Sequence, residues 1–258
     1  MLSIIIPSRN EKYLNKTIED LLVKTIKDFE IIVVLEGYWP EIIQDKRVHY
    51  IHFTVPRGMR GAINAGVALA KGEYLMKCDA HCKFDKGFDM VMESICLEKT
   101  VVIPRRYRLD PERWEIIIDG RQPIDRMYLS KDLHGRDWQE GNTDTMMEET
   151  PSSQGSCWMM RKDYYKELEL LDEDTYGTFF SEMQEIGLKC WLSGGRMIVD
   201  KHTWYAHWHK TDGRGYSLGK DQGKLAEDAV NKWKDKGWHK QIYPLSWLWE
   251  HFPTMPKE

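Results

Sequence analysis

The chain has 258 residues, enough at ~150 residues per domain for one large domain or two small ones. Hydrophobic residues make up 41% and charged residues 30%, which supports a packed core and excludes a largely disordered chain. A formal net charge of −4 singles out neither a nucleic-acid binder nor a membrane-surface protein.

No apolar run reaches the ~20 residues a membrane helix needs. The opening MLSIIIPSRNEKY lacks the charged-then-apolar layout of a signal peptide. The five cysteines, Cys78, Cys82, Cys96, Cys157 and Cys190, are odd in number and irregularly spaced, which argues against a disulfide framework. The expectation is a soluble, cytoplasmic chain with no membrane insertion.

Residues 2–7 (LSIIIP) read as a buried parallel strand, followed by a loop at 8–11. Leu14, Ile18, Leu21 and Leu22 then recur on one helix face. Residues 29–36 (FEIIVVLE) form a second buried strand, ended by Gly37-Tyr38-Trp39-Pro40, and 47–53 a third. A helix rich in Ala and Gly spans 58–70, and a fourth strand at 73–78 delivers Asp79-Ala80-His81 at its end. This alternation predicts a doubly wound α/β sheet, in which ligands bind beyond the carboxyl ends of the strands. Farther on, 101–107 and 114–118 read as strands, and 121–151 as a long loop or lid. A short strand at 157–161, a helix at 180–192 ended by Gly194-Gly195 and a final strand at 196–200 follow. A polar helix covers 221–236, and the tail from 238, with its aromatics and prolines, is expected to wrap the surface.

Four features invite chemistry. In an extended turn Asp79 and His81 point the same way, so a carboxylate and an imidazole can reach one metal, of a kind that suits Mn²⁺ better than Zn²⁺. By itself Asp-x-His is equally an ordinary solvated turn. Glu182 and Glu185 share a helix face, as a substrate-facing pair or as a plain acidic surface. Among the cluster from His202 to His209, one of His207 and His209 is a candidate ligand. Two stretches, 99–136 and 201–240, each hold nine Lys and Arg with tryptophans nearby, as a groove for a phosphate backbone or as ordinary surface.

Taken together, these blocks resemble nucleotide-sugar glycosyltransferases of the GT-A fold, family-2-like in the first half. Over roughly residues 2–210 the sequence is similar above all to the catalytic domain of polypeptide N-acetylgalactosaminyltransferases. The resemblance is carried by Ile4-Ile5-Ile6-Pro7-Ser8-Arg9-Asn10-Glu11, by residues 57–79 and by Asp79-Ala80-His81. It continues in Glu182-Met183-Gln184-Glu185, in Trp191 and Gly194-Gly195, and in His207 twelve residues later. It implies a Rossmann-like, mixed and mainly parallel central sheet flanked by helices. Residues 1–215 would form the single catalytic domain, with 1–100 as its nucleotide-binding half and 101–215 as its acceptor and metal half. Residues 216–258 would be a helical and aromatic extension packed on it.

The resemblance further implies that Asp79, His81 and His207 hold Mn²⁺ or Mg²⁺. Pro7, Arg9, Glu11, Glu36, Arg57 and Arg60, with Asp79, would bind a UDP-sugar, and Glu182 and Glu185 would carry the catalytic contacts to sugar or acceptor. Transfer would retain configuration. Phe179-Phe180-Ser181 replaces the family's Trp-Gly-Gly, and Leu35-Glu36 its Asp-Asp pair. Met183 stands where inverting family-2 enzymes carry an Asp base, which is compatible with retention. No segment matches the family's membrane anchor or lectin domain. The acceptor hydroxyl would belong to a polypeptide, a glycan or a hydroxymethylated pyrimidine in viral DNA. A nucleotide-sugar-binding protein without transfer activity is the non-enzymatic alternative.

Overall fold

Two strands apolar on both sides need cover on both sides, and that requirement organises the molecule. In the computed structural model, which describes residues 1–210 and 213–256, β1 (Leu2–Ser8) and β2 (Phe29–Glu36) lie parallel at its centre. Residues 211–212, inside the second basic stretch, and 257–258, at the end of the expected extension, lie outside the described residues. Ile4, Ile6, Ile31 and Val33 pack with Leu14, Ile18 and Leu21 of α1 (Leu14–Lys24). Ile5, Ile32 and Val34 face the other way, onto Ala62, Ile63 and Val67 of α2 (Met59–Leu69). Gly66 lets α2 approach β1, since a Cβ there would stand 2.6 Å from Cγ2 of Ile5. Gly66→Ala is expected to cost about 1–3 kcal/mol by overpacking. A lower urea midpoint with an unchanged slope would register it.

β3 (Val48–Phe53), β2, β1 and β4 (Tyr74–Cys78) run parallel in that order. The order therefore reverses beside β1, which opens a crevice at the carboxyl edge. β5 (Cys82–Phe84) leads to α3 (Phe88–Ile95), whose Phe88 and Met92 join the α1 side of the core. β6 (Thr100–Asp110) carries a short return strand, β7 (Glu115–Ile116). β8 (Met127–Leu129) and β9 (Gly135–Asp137) form a hairpin, and β10 (Met147–Glu149) lies at the sheet edge. β11 (Cys157–Arg161) inserts antiparallel between β4 and β6, and β12 (Arg196–His207) pairs parallel with β6. The result is a mixed α/β sheet flanked by helices, as the sequence predicts.

Three expectations need correction. The stretch 121–151 is not an irregular loop. It holds β8, β9 and β10, and Leu129, Leu133 and Trp138 are buried in the core. Part of its charge is neutralised inside the fold. Arg105 pairs with both oxygens of Asp125 at 2.8 Å, Lys201 with Glu148, and the Arg126 guanidinium lies 4.1 Å from the Trp138 ring centre. The last strand does not end at Asp200 but runs on to His207, with a register shift between Asp200 and Trp204. The polar Asp200-Lys201-His202 triplet reads as a terminus, yet Lys201 is buried against Glu148. Helix α3 is absent from the expectation; at eight residues it offers barely two turns of periodicity.

The remaining helices are α4 (Lys162–Glu167), α5 (Glu173–Tyr176), α6 (Glu182–Leu192), α7 (Gln222–Asp235) and α8 (Trp247–His251). Ala229 and Trp233 of α7, with Leu248, Phe252 and Met255, share one core cluster with Ile186 and Leu188 of α6. The tail is thus partly core, not only a surface wrap. All five cysteines are free and buried. Among the described residues no helix is long and apolar enough to cross a membrane.

Candidate active site

The loops after β1, β2 and β4 and the end of β12 meet around a cleft of about 800 Å³, within the range of small-molecule sites. Pro7, Arg9, Glu11, Glu36 and Arg57 line it, as do Asp79, His81, Glu182 and His207. Asp79 follows β4 directly, and its N–H donates to the Ser156 carbonyl at 2.9 Å, which fixes the start of the turn. His207 arrives only because β12 extends past its expected end.

Nε2 of His207 lies 3.2 Å from Oδ2 of Asp79 and 3.1 Å from Nε2 of His81, and the latter stands 3.9 Å from the same Oδ2. All three ligand atoms lie within 4.8 Å of one another. Adjacent ligands at ~2.1 Å from one divalent ion are ~3 Å apart, so the spacing fits a shared cation. The donor set, one carboxylate and two imidazoles, fits Mn²⁺ or a similar ion as well. Burial holds the His207 imidazole neutral, pushing its pKa down to about 3 against the pull of Asp79. Neutral imidazole is the form that ligates. Nδ1 of His81 bonds Oε2 of Glu11 at 3.0 Å, which turns the Nε2 lone pair toward Asp79 and His207. The His209 ring packs edge-on against His207 at 4.8 Å.

A residue the sequence reading passed over sits beneath this triad. Lys77 is 1% exposed, and its ammonium donates to Oδ1 of Asp79 at 2.7 Å, to the Gly155 carbonyl and to Oε2 of Glu182 at 3.3 Å. Burial would lower its pKa, but Asp79 and Glu182 outweigh burial and raise it. Burial likewise opposes the ionised Asp79, yet Lys77 and His207 hold its pKa well below the usual carboxylate range. The available signal is a lysine inside an otherwise apolar strand, two residues before Asp79 and therefore on the same side.

The two glutamates of α6 part company. Glu182 borders the cleft; its Oε1 accepts from Trp158 Nε1 at 2.7 Å, and burial raises its pKa. Glu185 and Arg60 are both 0% exposed and are not brought to the cleft. They pair with each other. Glu185 also accepts from Lys189 Nζ at 2.6 Å and from the Asp172 N–H at 3.0 Å. Arg60 donates to the Phe180 carbonyl at 2.7 and 3.1 Å, so the pair supports the loop that lines the cleft. Glu36 does face the cleft, but its Oε1 accepts the N–H groups of Arg57 and Gly58 at 2.7 Å each. Gly58 needs its φ of +88°, and a Cβ there would strike Thr178.

The far wall comes from residues after β12. The Arg9 guanidinium stacks on Tyr216 at 4.1 Å, and that of Arg214 on Phe179 at 4.5 Å. Several cations of the two basic stretches are taken up by partners within the chain. Arg105 pairs with Asp125, Arg108 and Arg121 with Asp119, Arg106 with Gln154 and Lys201 with Glu148. Trp233 is core, and Trp204 packs edge-on against Tyr107 at 6.0 Å.

A family model described as glycosyl transferase family 2 matches residues 3–169. Glycosyltransferase GlyG of Streptococcus pneumoniae serotype 4 is 33% identical over 89 residues, which is 31% of this chain and 30% of GlyG. A solved structure of GalNAc-T7 with UDP, GalNAc and Mn²⁺ superposes with a TM-score of 0.79 at 19% identity, covering 92% of this chain and 49% of that one. S. aureus TarS 1–349 in complex with UDP-GlcNAc superposes at 0.59 and 14% identity, covering 93% and 68%. At these identities the two structures speak for the fold alone. The chain spans about half of GalNAc-T7, and its match takes in less than a third of GlyG.

Proposed function

The chain belongs to glycosyl transferase family 2, and from that premise we propose that it moves a sugar from a UDP-sugar to an acceptor hydroxyl with the help of Mn²⁺ or Mg²⁺. The observation that carries the reading is the convergence of Asp79, His81 and His207, from two strand ends far apart in sequence, at a cleft of the right size. When bound there, the cation would neutralise charge on the diphosphate as the anomeric bond stretches.

The chain's own residues have distinct tasks. Arg9 and Arg57 offer cationic contacts to the nucleotide, and Pro7 and Glu36 shape its floor. Glu36 does so through the 57–58 turn, whose N–H groups it already holds. Glu11 orients His81. Glu182, at the cleft beside Asp79, contacts the sugar or positions the acceptor. Glu185 and Arg60 act from behind, by holding Phe180. Met183 follows Glu182, so the Asp that serves as base in inverting family-2 enzymes is missing, which is compatible with retention. The UDP and GalNAc of the GalNAc-T7 structure and the UDP-GlcNAc of the TarS structure support a UDP-linked donor, and five free, buried cysteines suit a reducing cytoplasm.

The test is a panel of UDP-sugars crossed with acceptors: Ser/Thr peptides, simple glycans, plain DNA and hydroxymethylpyrimidine DNA, with Mn²⁺ or with EDTA. Mass spectrometry reads the product. Metal-dependent transfer to one acceptor class is expected. Binding of UDP and Mn²⁺ with no turnover on any acceptor would replace the enzyme by a nucleotide-sugar-binding protein.

The role given to Glu11 has its own check. Glu11→Gln keeps the shape but weakens the contact that aims His81. Calorimetry is expected to show metal affinity lowered by about 10-fold. Unchanged affinity would remove Glu11 from the metal site.

A further inference from the structure

A lysine buried within a strand is costly unless its charge is answered. Lys77 answers it with three acceptors, Asp79 Oδ1, the Gly155 carbonyl and Glu182 Oε2. An ammonium has three N–H donors, so none is left for a ligand. Lys77 therefore acts on the cleft through its neighbours. Asp79 is divided by this arrangement: Oδ1 faces Lys77, and Oδ2 faces His207 at 3.2 Å. The other two candidate ligands are imidazoles, which are neutral as ligands. The one anionic ligand of the triad is thus shared with a fixed ammonium, which lies nearer to Asp79, at 2.7 Å, than to its second carboxylate, Glu182, at 3.3 Å.

Resting on the metal reading above, we propose that Lys77 holds down the triad's own affinity for a divalent cation, so that the cation is retained firmly only together with a diphosphate. The diphosphate oxygens supply the negative charge that the protein withholds. Cation and nucleotide then strengthen each other's binding reciprocally, as linkage requires. Departure of the nucleotide product loosens the cation, and the cleft reloads with both.

Calorimetric titration of Mn²⁺ into the full chain, with and without saturating UDP, tests this. For the unaltered protein, UDP is expected to tighten Mn²⁺ binding by about tenfold or more. Lys77→Met keeps the apolar stem and removes the charge. It is expected to bind Mn²⁺ alone about tenfold more tightly than the unaltered protein, and to gain less from UDP. A purely structural role for Lys77 predicts weaker or unchanged Mn²⁺ binding, and a misfolded variant cannot mimic a gain. Lys77→Gln, which keeps polar contacts to Asp79 or Gly155, is the second variant, with circular dichroism as the check on folding for both. The proposal is overturned if UDP leaves Mn²⁺ affinity unchanged, or if the folded variants bind Mn²⁺ alone no more tightly. Failure of the unaltered protein to take up Mn²⁺ with or without UDP would instead overturn the metal reading itself.

Discussion

Asp79→Ala is expected to lower metal-dependent sugar transfer by roughly 10²-fold or more, about 2.7 kcal/mol of transition-state stabilisation, while the fold stays in place. The loss should be large because Asp79 is the anionic member of the triad; His81 and His207 alone offer two neutral imidazoles. The cost to folding should be small for a separate reason. The side chain follows the strand, borders the cleft and is partly exposed. Lys77 keeps Glu182 and the Gly155 carbonyl as acceptors after the change. Rates measured across a Mn²⁺ titration, beside a melting curve, separate the two effects. Turnover that stays metal-dependent and near its original rate would refute the assignment.

Glu185→Ala should do the reverse, damaging stability before chemistry. It strips the buried Arg60 guanidinium of its carboxylate, takes from Lys189 its carboxylate partner, leaving it the Glu169 carbonyl, and leaves the Asp172 N–H without its acceptor. Breaking a buried ion pair from one side costs about 3–5 kcal/mol, because an uncompensated charge remains inside. At about 2–4 °C per kcal/mol for a chain of this size, the melting temperature should fall by roughly 6–20 °C. Below that temperature the folded variant should retain metal binding, since the triad is untouched. Donor KM is the kinetic quantity expected to move, because Arg60 holds the Phe180 carbonyl at the cleft. A melting shift under about 2 °C would show that the Arg60–Glu185 pair is not a stability element.

The contrast between Glu182 and Glu185 shows where sequence reading stops. Three residues apart on a helix, they read as one acidic face. In the folded chain each is claimed by a different distant cation, Glu182 by Lys77 and Glu185 by Arg60, at sequence separations of 105 and 125. Nothing in the local pattern distinguishes them. Lys77 was missed for the same reason. In isolation it is one polar residue in a strand, and its meaning lies in Asp79, Gly155 and Glu182 arriving around it.

Apolar patterning alone locates the central strands β1, β2 and β4 and the helices α1, α2 and α6, and with them the residue types of the candidate triad. Apolar periodicity reports burial over a few neighbouring positions, and Asp79-Ala80-His81 stands at a strand end that this periodicity locates. It takes the folded chain to see that residues 121–151 hold strands β8, β9 and β10, that β12 passes through Asp200-Lys201-His202 to deliver His207, and which carboxylates meet the cleft. Each of these depends on charges neutralised by partners remote in the chain, Lys201 by Glu148 and Arg105 by Asp125 among them. Such pairing makes a polar stretch buriable, and local sequence carries no record of it.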